Sequence, residues 1–340
     1  MKRVKLTELN TLFTEISAEK QLYIPTDDST FQAKFSLWQE GVLMSERLNT
    51  VQSPKDLFFP QVENLVNFKV SGKKMDIIEC QDSVNAFVVF GVRACDCRSF
   101  DILDSVFLSD PVDTFYKKRR ENGIVITMAC GRPAETCFCS VFGIDAANPA
   151  GDISCWKDEQ FLYWQSNTEK GFRLTEKISI LEDCEDTPVV LLQNKVRDIL
   201  QKLPLKDLDL SLFSAEKMLD LFNSDAWNSL SESCIGCGTC TFVCPTCQCY
   251  DVQDFDNGRE VRRFRCWDSC MYSDFTMMAH GTNRPTQKER FRQRFMHKLV
   301  YYPSNNNGVY GCVGCGRCLQ KCPIHMNIVK VAKKLKEVAE

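Results

Sequence analysis

Near the start of the chain, apolar residues recur three and four positions apart: Leu6, Leu9, Leu12, Phe13 and Ile16. That spacing lines one face of an α-helix, so the chain is predicted to open with an amphipathic helix, followed by a short extended segment, Gln21-Leu-Tyr-Ile-Pro25. From about residue 58 to 195 the texture is mixed. Phe87-Val-Val-Phe90 and Ile124-Val-Ile-Thr127 are short unbroken apolar runs, the signature of strands covered on both faces, and a polar, basic stretch from Asp113 to Arg120 lies between them. Pro204 to Leu212 alternates Leu with Lys and Asp and marks a boundary. Beyond it helical signals dominate. Ser214 is placed to cap a helix through Phe222 and Asp225 a short one through Leu230. Thr286-x-x-Glu289 is a capping box opening a helix to about Tyr302, with Phe291, Phe295 and Leu299 on its inner face. The fold class expected is α+β, with a mixed α/β domain over residues 1–205 and an α-helical domain over 206–340.

Twenty cysteines change the picture. Eight of them form two copies of one pattern: Cys234-x2-Cys237-x2-Cys240-x3-Cys244 before Pro245, and Cys312-x2-Cys315-x2-Cys318-x3-Cys322 before Pro323. In two-cluster ferredoxins, three cysteines of such a run ligate one [4Fe-4S] cluster and the fourth crosses to the other. The expected ligand sets are Cys234, Cys237, Cys240 and Cys322 for one cluster and Cys312, Cys315, Cys318 and Cys244 for the second. Gly236, Gly238, Gly314 and Gly316 fall between ligands, where the backbone must bend sharply and present N–H groups to sulfur. Cys-x2-Cys pairs also build zinc sites, but a doubled run of four cysteines closed by proline is far more selective. Sixty-seven residues separate Cys244 from Cys312, too many for a minimal ferredoxin. A helical two-cluster module is expected instead.

A second group of cysteines follows the apolar strands. Cys95 and Cys97 come after Phe90, Cys130 after Thr127, and Cys137 and Cys139 shortly beyond. In an open α/β sheet ligands gather at the carboxyl ends of parallel strands, so parallel neighbours would bring these sulfurs together. Spacing alone leaves open whether they are ligands or small buried hydrophobes. Cys247, Cys249, Cys266 and Cys270 are similarly open between a zinc site, a further cluster and plain packing. Cys80, Cys155 and Cys184 have no partner spacing and are expected to be structural.

Other chemistries find little to work with. The net charge of −3 argues against a nucleic-acid surface. The runs Lys117-Lys-Arg-Arg120 and Arg259-x-x-Arg262-Arg263 are expected to be solvated faces or docking patches. The first residues, MKRVKLTELNTLF, carry no apolar signal core, and no apolar run approaches the ~18 residues of a membrane span. A cytoplasmic protein with reduced cysteines and no direct membrane insertion is expected. The three histidines, His280, His297 and His325, have no nucleophile or metal motif around them. No G-x-G-x-x-G loop is present, which leaves NAD(P) and flavin to a partner protein.

Several longer motifs add to this reading: Gly91-Val-Arg-Ala-Cys-Asp96, Tyr116 with Arg119-Arg-Glu121, Thr136-Cys-Phe-Cys139, Cys234 through Cys249, Trp267-Asp-Ser-Cys270, and Cys312-Val-Gly-Cys-Gly-Arg-Cys318. From about Leu6 to its end the chain resembles a family of iron–sulfur subunits that includes those of anaerobic sulfite reductase and the beta subunit of sulfhydrogenase-type NiFe hydrogenases. The resemblance implies that Cys95, Cys130, Cys137 and Cys139 hold a third [4Fe-4S] cluster, with Cys97 a neighbour or substitute ligand. It matches Cys247, Cys249 and Cys270, but not Cys266. It also implies an electron-transfer role with no catalytic residues of its own. Single electrons would be relayed between an FAD/NAD(P)-binding reductase and a catalytic oxidoreductase subunit that turns over sulfite or hydrogen. A redox-sensing or scaffold role is the alternative, although a sensor needs only one labile cluster.

Overall fold

The computed structural model describes residues 1–47, 49–72, 74–80, 85–258 and 260–339. Its strands are β1 (Lys2–Lys5), β2 (Gln21–Asp27), β3 (Ala33–Leu37), β4 (Val62–Ser71), β5 (Lys74–Glu79), β6 (Phe87–Val92), β7 (Gly123–Met128), β8 (Ile153–Lys157), β9 (Phe161–Ser166), β10 (Glu182–Asp183), β11 (Tyr250–Asp256) and β12 (Glu260–Trp267), with a small separate pair, β13 (Met277–Met278) and β14 (Gly281–Thr282). Eight of them form one mixed sheet in the order β10-β1-β9-β8-β7-β6-β2-β3. Its centre is parallel: β2 runs with β6, β6 with β7 and β7 with β8.

The two apolar runs explain that centre. Every residue of β6 and β7 is buried, because helices cover both faces. Val88, Phe90, Ile124 and Ile126 pack with Leu12, Phe13 and Ile16 of the helix Leu9–Ser17. Phe87, Val89 and Val125 point the other way, against Phe100, Leu103 and Phe107 of the helix Ala94–Phe107 and Tyr116 of the helix Thr114–Asn122. The opening helix is therefore present, one strand later than the start of the chain. The basic stretch is the helix Thr114–Asn122, capped by Asp113, whose carboxylate accepts from Tyr116 N at 2.9 Å.

In the second half, Trp227, Phe291, Phe295, Leu299, Ile328, Val331 and Leu335 form a separate core. The capping box is made: Thr286 N donates to Glu289 Oε2 at 2.7 Å at the start of the helix Gln287–Met296. A single π-helical turn, His297–Tyr301, carries that helix into Tyr302–Asn305. The helix foreseen from Ser214 begins later, at Met218, while the one after Asp225 spans Ala226–Glu232.

This half is not helical throughout. Tyr250 to Asp256, with Tyr250, Val252 and Phe255 among polar residues, meets an Asn257-Gly258 turn, with Gly258 at φ +83°, and folds as a β11–β12 hairpin. The hairpin pairs through β12 with β4, giving a four-stranded sheet β11-β12-β4-β5 that joins the two halves of the chain. Arg262 and Arg263 of the basic run lie exposed on β12, whereas Arg259 lies outside the described residues.

Candidate metal centres

The first cysteine run leaves the helix Ala226–Glu232 as a loop and re-enters helix at Thr239–Phe242, which carries Cys240. The second run does the same before the helix Arg317–Lys321, which carries Cys318. Cys234, Cys237, Cys240 and Cys322 line a single cavity, closed by Met271, Phe291, Pro323 and Arg294. Cys322 thus arrives at the first run's loop. Burial pushes the thiols of Cys312, Cys315 and Cys318 up, and the charge of Cys244 adds to the rise in each, as it does at Cys240 of its own run. Cys244 itself is held toward the thiolate by the Cys247 thiol and by the Lys298 ammonium, against the cost of burial. Cys318 rises to about 12.

Three buried cations surround these thiols, and their hydrogen bonds among the described residues go to carbonyls and a hydroxyl rather than to carboxylates. Lys298 Nζ donates to Thr246 Oγ1 at 2.7 Å and Gly311 O at 3.0 Å, with Cys244, Cys247 and Cys312 close enough to hold it charged despite burial. Lys55 is 2% exposed and donates to Cys247 O at 2.9 Å and Cys244 O at 3.2 Å, its ammonium 3.7 Å from the Trp267 ring centroid. Arg294 is buried beside Cys240 of one run and Cys318 of the other, and its Nε has no hydrogen-bond partner among the described residues. An unsatisfied buried guanidinium N–H among thiols is costly on its own, and it suits a site that takes an anionic metal–sulfur group. The thiols and cations present therefore fit anionic metal–sulfur groups at the two cysteine runs.

Sequence reasoning overlooked these cations, although one signal was legible. Arg294 and Lys298 fall at helical spacing with Phe291, Phe295 and Leu299, so two cations occupy the core-facing stripe. Hydrogen bonds to ligand sulfur were not legible: Gln287 Nε2 donates to Cys234 Sγ at 3.6 Å, and Cys237 Sγ lies 3.4 Å from the Thr239 hydroxyl.

The N-terminal thiols also converge. Cys95 stands in the first turn of the helix after β6, Cys130 just after β7, and Cys137 and Cys139 in the following loop, and all four are buried in one cluster with Cys315 and Val313 of the second run. Burial raises each of them, Cys130 to about 11 and Cys139 to about 12, and neighbouring thiols reinforce the rise at Cys95, Cys130 and Cys139. Parallel pairing of β6 with β7 is what places Cys95 beside Cys130. Asn49 Nδ2 donates both to Cys137 Sγ, at 3.4 Å, and to Cys315 O, at 3.2 Å.

Cys97 does not join them. Two residues on from Cys95 in a helix, it faces away, lining a polar cavity with Asp101, Asp104, Arg120 and Asp152. It is neither a neighbour nor a substitute ligand of the Cys95 group. Cys266 is likewise apart, on β12 opposite Asp251, while Cys247, Cys249 and Cys270 lie near enough to shift one another's thiols. Cys155 is core in β8.

Among the described residues, no three Cys, His, Asp or Glu side chains are drawn close enough to hold a single metal ion. A cubane spreads its four thiolates farther apart than one ion does. Among the described residues, no helix is long and apolar enough to cross a membrane.

Fold and thiols together define an iron–sulfur protein of the dicluster type, and the family model described as a 4Fe-4S dicluster domain matches residues 233–326. The chain is also 34% identical to the sulfhydrogenase 2 subunit beta of Pyrococcus furiosus over 85% of its own length and 84% of the relative's. It belongs to the family of sulfhydrogenase beta subunits. No solved structure matches it.

Proposed function

We propose that this chain is the electron-relay component of an anaerobic, cytoplasmic, multi-subunit oxidoreductase, with three [4Fe-4S] clusters in a row. Cys234, Cys237, Cys240 and Cys322 hold the first, Cys312, Cys315, Cys318 and Cys244 the second, and Cys95, Cys130, Cys137 and Cys139 the third. Bound there, each cluster takes up and returns one electron at a time. The chain's own part is to supply thiolates, exclude water and fix the charge around them: Arg294 serves the first two sites together, and Arg93 stands beside Cys130 and Cys95. A partner that binds flavin and NAD(P) at one end, and a hydrogen- or sulfite-active one at the other, complete the route. The relative's name, a sulfhydrogenase component, supports that setting.

One observation carries the relay reading. The loop of the second run packs directly on the loop of the N-terminal thiols: Phe138 N donates to Gly314 O at 2.8 Å, and Cys137 Sγ lies 3.9 Å from Cys315 O. Gly314 and Gly316 make this approach possible. Both have positive φ, and a Cβ would stand 2.5 Å from Phe138 C and 2.6 Å from Thr136 O respectively. A ligand of the second site and a ligand of the third are thus separated by little more than one backbone layer.

Anaerobic iron and sulfide analysis tests the count, with about 12 Fe per chain expected for three four-iron clusters. About 8 would remove the N-terminal site. The isolated chain should accept electrons from a low-potential donor yet reduce neither sulfite nor protons. With its flavin-containing partner, NAD(P)H should reduce it, and Cys137→Ser should slow that transfer. Unchanged transfer in a variant shown to lack the third cluster would refute the relay.

A further inference from the structure

Two side-chain amides reach cysteine sulfurs, one at each end of the row of sites, and neither belongs to a cysteine run. Gln287 opens the helix Gln287–Met296, and its Nε2 donates to Cys234 Sγ at 3.6 Å. Asn49, in the segment between β3 and β4, donates from Nδ2 to Cys137 Sγ at 3.4 Å and to Cys315 O at 3.2 Å.

Their neighbours settle which way each amide faces. Arg290 Nη2 donates to Gln287 Oε1 at 3.3 Å, and a guanidinium can only donate, so the amide oxygen must face Arg290 and the NH2 group the sulfur. Arg290 is held in turn by the carbonyls of Arg284, at 3.0 Å, and Pro285, at 3.2 Å. The Gln287 side chain also lies tight against the first run: a Cβ on Gly236, at φ +66°, would stand 2.9 Å from its Oε1. At Asn49 the fixed partner is Cys315 O. A carbonyl can only accept, so Nδ2 must be the atom beside it, and the second hydrogen of that group serves Cys137. The backbone around Asn49 is pinned as well, since Thr50 O accepts from Arg317 Nε at 2.7 Å and Val51 N donates to Ala33 O at 2.8 Å.

We infer that Gln287 and Asn49 are positioning residues that raise the reduction potentials of the two end sites, the first through Cys234 and the third through Cys137. This deepens the relay reading and rests on its ligand sets. An electron added to a metal–sulfur group puts more negative charge on its sulfurs. An N–H already aimed at one of them then makes a stronger hydrogen bond, so the reduced form gains more than the oxidised one. The amides stay neutral and donate in both states, so no bond of the chain is made or broken and no proton moves. Asn49 also fastens the third site's donor to the backbone of Cys315, on the second run.

The test is an anaerobic redox titration of whole, iron-replete protein, read by electron paramagnetic resonance, in wild type, Gln287→Leu, Gln287→Glu and Asn49→Leu. Each leucine variant should lower one midpoint, and the two should lower different ones. The expected fall is about threefold to tenfold in the reduced-to-oxidised ratio at a fixed potential, the scale of one hydrogen bond's net worth. Gln287→Glu keeps an acceptor for Arg290 but sets a carboxylate oxygen beside the sulfur, so its midpoint should fall further than that of Gln287→Leu. The midpoint moved at Gln287 should be the one altered by Cys322→Ser, and the midpoint moved at Asn49 the one altered by Cys137→Ser. Unchanged midpoints in iron-replete leucine variants would overturn the inference, as would a Gln287→Glu midpoint at or above that of Gln287→Leu. If Gln287→Leu sheds iron, Gln287→Glu against wild type decides. Wild-type protein with two clusters, neither altered by Cys137→Ser, would instead overturn the third site and the role of Asn49 with it, and Gln287 would stand or fall on the first site alone.

Discussion

The ion pair between Asp96 and Arg317 joins the N-terminal thiols to the second cysteine run, and it can be broken from either end. Both residues are 1% exposed. Arg317 Nη2 donates to Asp96 Oδ2 at 2.7 Å and Nη1 to Oδ1, while Nε donates to Thr50 O at 2.7 Å and Nη2 also to Thr50 Oγ1 at 3.1 Å. Burial works against the guanidinium, but Asp96 and the thiols of Cys315 and Cys95 hold it charged. Removing one member of a buried pair costs about 3–5 kcal/mol, because the other charge stays buried, whereas replacing both by apolar groups of similar size is often close to neutral.

The surroundings predict an asymmetry. Arg317→Met strands the Asp96 carboxylate in the buried site of Cys95 and Cys315, without its bidentate partner, and leaves Thr50 O without its donor, so its cost should lie at the upper end of that range. Asp96→Leu leaves Arg317 facing Cys315 and Cys95, which supply part of the lost charge, so it should cost less. The double variant should recover much of the loss. Anaerobic urea titrations, read by cluster absorbance and by iron release, give the midpoints, and an unchanged slope licenses comparing them as stabilities. The reasoning fails if Arg317→Met lies within about 1 kcal/mol of wild type, if Asp96→Leu is the worse single change, or if the double variant is no better than Arg317→Met.

Three further outcomes are expected. Cys322→Ser should perturb the spectrum of the first run's cluster, and Cys244→Ser that of the second; damage confined to a variant's own run would refute the crossed assignment. Gly316→Ala, whose methyl would meet Thr136 O at 2.6 Å on a backbone at φ +78°, should cost about 1–3 kcal/mol and loosen the third cluster's iron ahead of the others, measured by timed chelation. Burial lowers His297 to about 4, with Lys298 and Arg284 adding to the fall, so the unfolded chain takes up its proton near pH 6.5 and the folded chain only near pH 4. Stability should therefore decline as pH falls through that window, by about 3 kcal/mol at most, and less in His297→Gln by denaturation at pH 7 and pH 4.5.

The parts legible in the sequence were those fixed by local spacing. β6 and β7 were readable because strands covered on both faces need unbroken apolar runs, and the Thr286–Glu289 box because two reciprocal hydrogen bonds demand those residues three apart. The pairing of β12 with β4 was not readable. Glu63 of β4, buried between Arg119 and Arg265, looks in sequence like any surface acid until the hairpin brings Arg265 across from it.

The same distinction separates ligands from the groups that tune them. A cluster's three-cysteine loop is contiguous, so its spacing survives in one dimension, but the charge balance around it is assembled from Lys55, Arg294, Lys298 and Arg317, which stand far from most of the thiols they face. Only Arg317 lies inside a cysteine run, and its carboxylate partner is 221 residues away. Cations buried without carboxylates are stable only if the thiols they face are charged, and burial pushes most of those thiols toward the neutral form. Metal binding resolves both demands at once, since it turns thiols into thiolates and releases their protons. Folding of the C-terminal core and cluster insertion should accordingly be one coupled event: extracting iron from the whole protein should melt the packing of Trp227, Phe291 and Phe295, seen as a loss of near-UV circular dichroism. Retention of that signal in iron-free protein would show that the core holds the cations by other means.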